Sequence, residues 1–156
     1  MDNLKIGGVV RLAINDDPER VIEFAPDDAL FAEKFYALYD TLKLKLAEYE
    51  ERGNKLKESE AVDEFGVPEY APEATSLLRE SCDFVRGEID KLFGDGTSKK
   101  AFGEYRSFDM IEQFFEGFLP YFEKARKKKT NKHTKDVIEQ RRRIEQEKAE
   151  KAAKNE

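Results

Sequence analysis

One cysteine, one histidine and no apolar run long enough to span a bilayer set the first limits on this 156-residue chain. With Cys82 alone, neither an internal disulfide nor a thiolate metal cluster can form, which agrees with a reducing compartment. A membrane helix needs roughly 20 consecutive apolar residues. No stretch approaches that, and Met1-Asp2-Asn3-Leu4-Lys5-Ile6 has neither the basic nor the apolar region of a signal peptide. A cytoplasmic protein without membrane contact is expected. Beyond residue 122 the chain also lacks Phe, Tyr and Trp, and its only large aliphatics are Val137, Ile138 and Ile144, so that segment cannot build a core.

What is present is charge. Charged residues make up 40% of the chain against 39% hydrophobic ones, far above the roughly one quarter charged of an average globular domain. The net charge of -6 is unevenly placed. Residues 1–122 carry 15 Lys+Arg against 27 Asp+Glu, a net -12, and residues 123–156 carry 13 against 7, a net +6. An acidic body with a basic tail can pair head to tail with a second copy or with a partner of matching polarity. The expected organisation is one domain over residues 1–122 and a basic helix or disordered tail over residues 123–156.

Val9-Val10-Arg11-Leu12-Ala13-Ile14 and Arg20-Val21-Ile22-Glu23-Phe24 are rich in β-branched residues and flank Asn15-Asp16-Asp17-Pro18-Glu19, a run of turn formers. They predict an N-terminal β-hairpin, which needs a helix or another subunit against its apolar face. Pro26-Asp27-Asp28 opens a first helix displaying Phe31, Phe35, Leu38, Leu42, Leu46 and Tyr49, with Gly53 expected to end it. Periodicity then lapses into a long connection up to Ala71. Pro72 starts a second helix with Leu78, Cys82, Val85, Ile89 and Leu92 on one face, and Gly94 closes it. Ser107 caps a third, unusually aromatic helix carrying Phe108, Ile111, Phe114, Phe115, Phe118, Leu119 and Phe122. Pro120 is expected to kink or break it. The fold class is α+β and predominantly helical: a hairpin, three principal helices, and an extended charged C-terminal helix or tail.

Residues able to do chemistry are sparse. Cys82 sits within an apolar stripe and reads as core rather than nucleophile. His133 lies in a polar, basic run and reads as solvated. The carboxylates show neither a Glu-x-x-His pair nor calcium-loop spacing, and the acids of the hairpin turn are accounted for by turn geometry. Phe93-Gly94-Asp95-Gly96-Thr97-Ser98-Lys99-Lys100-Ala101-Phe102-Gly103 groups glycines, hydroxyls and lysines, but a phosphate loop needs Gly-x-x-x-x-Gly-Lys-Ser/Thr after a strand. Here the segment follows a helix and the hydroxyls precede the lysines. It reads as a tight linker between helices in which Gly94 and Gly96 supply positive backbone angles, Thr97 or Ser98 caps a short helical turn, and Gly103 ends it. Neither catalysis nor a cofactor is expected. Lys127, Lys128 and Lys129 with Arg141, Arg142 and Arg143 raise the question of nucleic acid. Interspersed acids and the missing aromatic platform favour a solvated or partner-binding tail instead.

The glycine-lysine segment, preceded by a Leu/Val-rich helix and followed by the Phe-rich helix from Ser107, resembles the tail assembly chaperones of tailed phages and prophages. The hairpin leading into a Phe/Glu-rich helix is similar in layout, whereas the extended basic tail departs from the compact pattern of that family. The resemblance implies a non-enzymatic protein of the host cytoplasm that binds the tape measure protein, keeps it soluble and helps recruit tail tube subunits, with self-association along the client. Candidate contact residues are Phe108, Phe114, Phe115, Phe118 and Phe122, with the basic residues of the tail. The alternatives are a structural or connector protein retained in the virion, and a nucleic-acid-binding adaptor using the tail.

Overall fold

The structure is a computed structural model and describes residues 1–154, with the side chains of all of these except residues 125, 126 and 128–134. Two strands, β1 (Val10–Ile14) and β2 (Asp17–Phe24), precede four helices: α1 (Ala29–Lys57), α2 (Ala71–Phe93), α3 (Thr97–Phe102) and α4 (Phe108–Lys154). The expected class, a hairpin followed by a mainly helical body, is the one observed. No helix among the described residues is long and apolar enough to cross a membrane.

The hairpin turns more tightly than its run of turn formers suggests. Asn15 and Asp16 both hold positive φ, at 54° and 59°, the conformation of a two-residue turn whose twist matches that of its strands. β2 therefore begins at Asp17, and the register slips between Ala13, paired with Val21, and Ile14, paired with Asp17. Beyond that bulge, Val10 faces Phe24 and Leu12 faces Ile22, so the apolar face meets the helices and the Arg11–Glu23 ion pair lies outside.

Asp28 caps α1 by accepting from the Leu30 amide at 2.9 Å. The helix does not stop at Gly53 but continues to Lys57. An interior glycine costs about 1 kcal/mol relative to alanine, and packing outweighs it. Leu56 lines one hollow with Pro72 and Leu77 of α2, and Arg52 grips Glu80 through two hydrogen bonds of 3.2 Å. The connection that follows is shorter and more ordered than its composition suggests. Asp63 Oδ1 accepts from the amides of Phe65 and Val67, and Val62 bridges Pro68 across the turn.

Pro120 does not end α4, which runs as one helix from Phe108 to Lys154. The carbonyl of Glu116 loses its usual donor, but Glu116, Gly117 and Pro120 are all exposed, so water can take the donor's place. Ser107 caps the helix as expected, its hydroxyl accepting from the Met110 amide.

Two adjoining clusters form the core. One joins Phe24, Phe31, Ala32, Phe35, Phe118 and Phe122, and the other joins Cys82, Val85, Ile89, Ala101, Phe102 and Ile111. Phe118 links the first to its neighbours, with ring centroids 4.9 Å from Phe24, 5.1 Å from Phe93 and 5.8 Å from Phe35. Fully burying one such ring contributes about 1.5–3 kcal/mol. Phe118→Ala should accordingly lower unfolding stability by about 3–5 kcal/mol in chemical denaturation. Gly53→Ala should raise it by about 0.5–1 kcal/mol, because the added Cβ would sit 3.7 Å from Leu77, an ordinary contact.

Candidate functional site

The glycine-lysine segment is a clasped structural joint. Gly94 and Gly96 take positive φ of 116° and 86°, and Gly103 ends α3 at 60°. Thr97 and Ser98 are buried. The Thr97 hydroxyl donates to the Gly94 carbonyl at 2.8 Å, so it closes the preceding turn rather than capping α3. Capping comes from Asp90 of α2: one carboxylate oxygen accepts from the Ser98 amide at 2.7 Å and the other from the Ser98 hydroxyl at 3.1 Å.

At the opposite end of α3 two arginines hold its last carbonyls. Arg20 of β2 donates to the Lys100 and Ala101 oxygens at 2.6 and 3.1 Å. Arg86 of α2, only 8% exposed, donates to the Gly103 and Tyr105 oxygens and lies over the Phe102 ring. Negative charge at the start of a helix and positive charge at its end are the favourable arrangement. The position where an anion would meet the first amides of α3 is filled by the protein's own carboxylate. The lysines cannot complete a phosphate cradle there: Lys99 and Lys100 are exposed, and Lys99 faces Glu104 at 3.7 Å.

Cys82 is fully buried, and burial, aided by neighbouring Asp83, pushes its thiol pKa up, so it stays protonated and unreactive. Among the described residues no group of three or more His, Cys, Asp and Glu side chains could hold a metal ion. His133 lies outside the described side chains.

The feature best shaped for a ligand is an apolar groove between α1 and α4, floored by α2. Both helices pack on α2. Near Phe24 they are joined by Phe31, Phe35, Phe118 and Phe122, and towards the C-terminal end of α1 they leave two adjoining hollows that share Leu46 and Phe108. The first, of about 280 Å³, is lined by Leu42, Val85, Phe115 and Leu119; the second, of about 470 Å³, by Tyr49, Leu77 and Leu78. Glu50, Glu112 and Glu116 stand along the rim, against Lys57 as the one cation among the described residues that line the two hollows.

The aromatic contact candidates divide accordingly. Phe108 and Phe115 are half-buried and line the groove, and Phe114 is half-buried beside Phe93 and Phe102. Phe118 and Phe122, at 2% and 1% exposure, are core residues and are out of a partner's reach in this conformation. Among the basic candidates, Lys127, Arg141, Arg142 and Arg143 are exposed, while Lys128 and Lys129 lie outside the described side chains. Three consecutive arginines on a helix point in directions about 100° apart, so they form no single basic stripe. Leu42, Leu46, Leu77 and Leu78 were not picked out as contact residues by the sequence, because an apolar stripe reads the same whether it faces core or groove. Phe65, 84% exposed on the turn built by Asp63, was likewise hidden in a stretch without periodicity.

One family model, described as a family of unknown function (DUF6673), matches residues 19–154. The chain belongs to that family. The span matched by DUF6673 takes in β2 from residue 19 on, the clasped joint, both walls of the groove and the projecting half of α4. No curated protein and no solved structure matches the chain.

The clasp predicts an asymmetry among the charges of the segment. Arg86→Ala should lower stability by about 1.5–3 kcal/mol, because two carbonyls at a part-buried joint lose a charged donor. Replacing Lys99 and Lys100 together by Gln should change stability by no more than about 0.5 kcal/mol. Inorganic phosphate should stabilise the chain no more than chloride at equal ionic strength, as thermal melts would show.

Proposed function

We propose that this protein is a non-enzymatic assembly chaperone of the tailed-phage class, which holds a helical segment of a tape measure protein in the groove between α1 and α4 and helps recruit tail tube subunits. The groove is the observation that supports this reading most. It is open, lined by Leu42, Leu46, Phe108, Phe115 and Leu119, and rimmed by carboxylates. Recognition of an amphipathic helix by a hydrophobic groove uses apolar anchors at spacings of three, four and seven residues. The acidic rim selects a client whose apolar stripe is flanked by Lys and Arg. A long client of that kind aggregates when its stripe is bare, and covering it keeps the client soluble.

The remaining features are consistent with this role. The fully buried thiol and the internally satisfied α3 supply no reactive group. The C-terminal half of α4 projects some 45–50 Å past Phe122 at 1.5 Å per residue, and every described side chain on it is exposed. That helix offers a separate surface for tube subunits or for tethering along the client.

Co-expression with a tape measure protein should raise the soluble yield of that client. Phe115→Asp should reduce the yield to that of the client alone while leaving the helical circular dichroism of the chaperone unchanged, and Lys127→Glu should have a smaller effect. A client that is no more soluble with the chain than without it, or one rescued equally by the Phe115→Asp variant, contradicts the proposal.

A further inference from the structure

We propose that residues 3–6 of a second copy add as a third strand to the free edge of β1, closing a dimer by reciprocal exchange of N-terminal arms. This site lies on the hairpin side of the molecule and does not depend on the reading of the α1–α4 groove. β1 is paired on one side only, in a two-stranded sheet. Its other edge carries no strand, and β1 borders a hollow of about 510 Å³ facing α4. Arg11 to Ile14 of β1 line that hollow together with Ile22 of β2. Across it stand Phe114, Gly117 and Tyr121 of α4, and at Gly117 there is open space where a side chain would be. A bare strand edge is a template for another strand, and Phe114 and Tyr121 give this hollow an apolar side among its polar residues.

The arm has the matching pattern. Leu4 and Ile6 alternate with Lys5 and are 83% and 87% exposed. Folded back as a strand, the arm would present Leu4 and Ile6 on one face and Lys5 on the other.

Own-chain docking is obstructed in both short registers. A two-residue turn at Gly7 and Gly8 sets Ile6 opposite Val9 and Leu4 opposite Arg11, which turns both apolar side chains away from the core face held by Val10 and Leu12. A three-residue turn restores the faces, but it asks Val9 to take the left-handed conformation that closes such a loop. That conformation is strained for a β-branched residue, and Val9 does not adopt it here. An arm from a second copy carries no turn, so its register is free and Leu4 and Ile6 can face the hollow. The same operation applied to the partner satisfies both bare edges, which is the self-complementary arrangement of a two-fold dimer.

Light scattering on the full chain from micromolar to submillimolar concentration tests this. The expected result is concentration-dependent dimerisation that the double variant Leu4→Asp/Ile6→Asp abolishes without altering circular dichroism, since both side chains are already exposed in the single copy. The groove variant Phe115→Asp should still dimerise. A chain that stays monomeric throughout overturns the proposal, as does a dimer that survives the double variant. A monomer whose β1 amides lose hydrogen-exchange protection in the double variant also overturns it, because the arm then docks on its own chain.

Discussion

The packing of Phe118 is the constraint on which the rest of the molecule depends. Its ring lies against Phe24 of the hairpin, Phe31 and Phe35 of α1, Phe93 at the end of α2, and Phe114 and Phe122 of its own helix. Two strands are marginal alone, and this end is where the rings of the hairpin, α1 and α4 meet. One aromatic cluster therefore holds the hairpin down and fixes where α4 crosses α1. Farther along, Leu42, Leu46, Phe108 and Phe115 are half-buried against the second cluster and line the groove beside it.

Charge is handled locally at the joint between α2 and α4. Asp90 meets the start of α3 while Arg20 and Arg86 meet its end, so hydrogen bonds satisfy the buried Ser98 and Arg86 side chains within the chain. Hydrogen bonds to charged groups contribute about 1.5–3 kcal/mol each where they are shielded from water. This gives a sharply turned six-residue helix a definite position despite glycines at both ends. It also explains why a segment with the composition of a phosphate loop behaves as a structural hinge pin.

Much of this could be read from local pattern. The hairpin, the caps at Asp28 and Ser107, the stripe of α2 and the roles of Gly94, Gly96 and Gly103 all follow from spacing and turn chemistry. The boundaries that escaped the sequence depend on long-range partners: α1 passes Gly53 because Leu56 and Arg52 find α2, and α4 passes Pro120 because the freed carbonyl faces water. The clasp was hidden for the same reason, since Arg20 lies some eighty residues from the carbonyls it holds. The groove was legible only as an apolar excess. Periodicity identifies a face but does not tell whether another helix already covers it.

The proposed client site can be examined residue by residue in solution. Side-chain methyl and aromatic NMR of the full chain, titrated with a helical peptide from the tape measure protein, is the most direct measurement. The account predicts that signals from Leu42, Leu46, Phe115 and Leu119 shift on binding while those of the buried Phe118 and Phe122 move little. Shifts confined to the hairpin, or to the part of α4 beyond residue 135 with the groove signals unmoved, would contradict it.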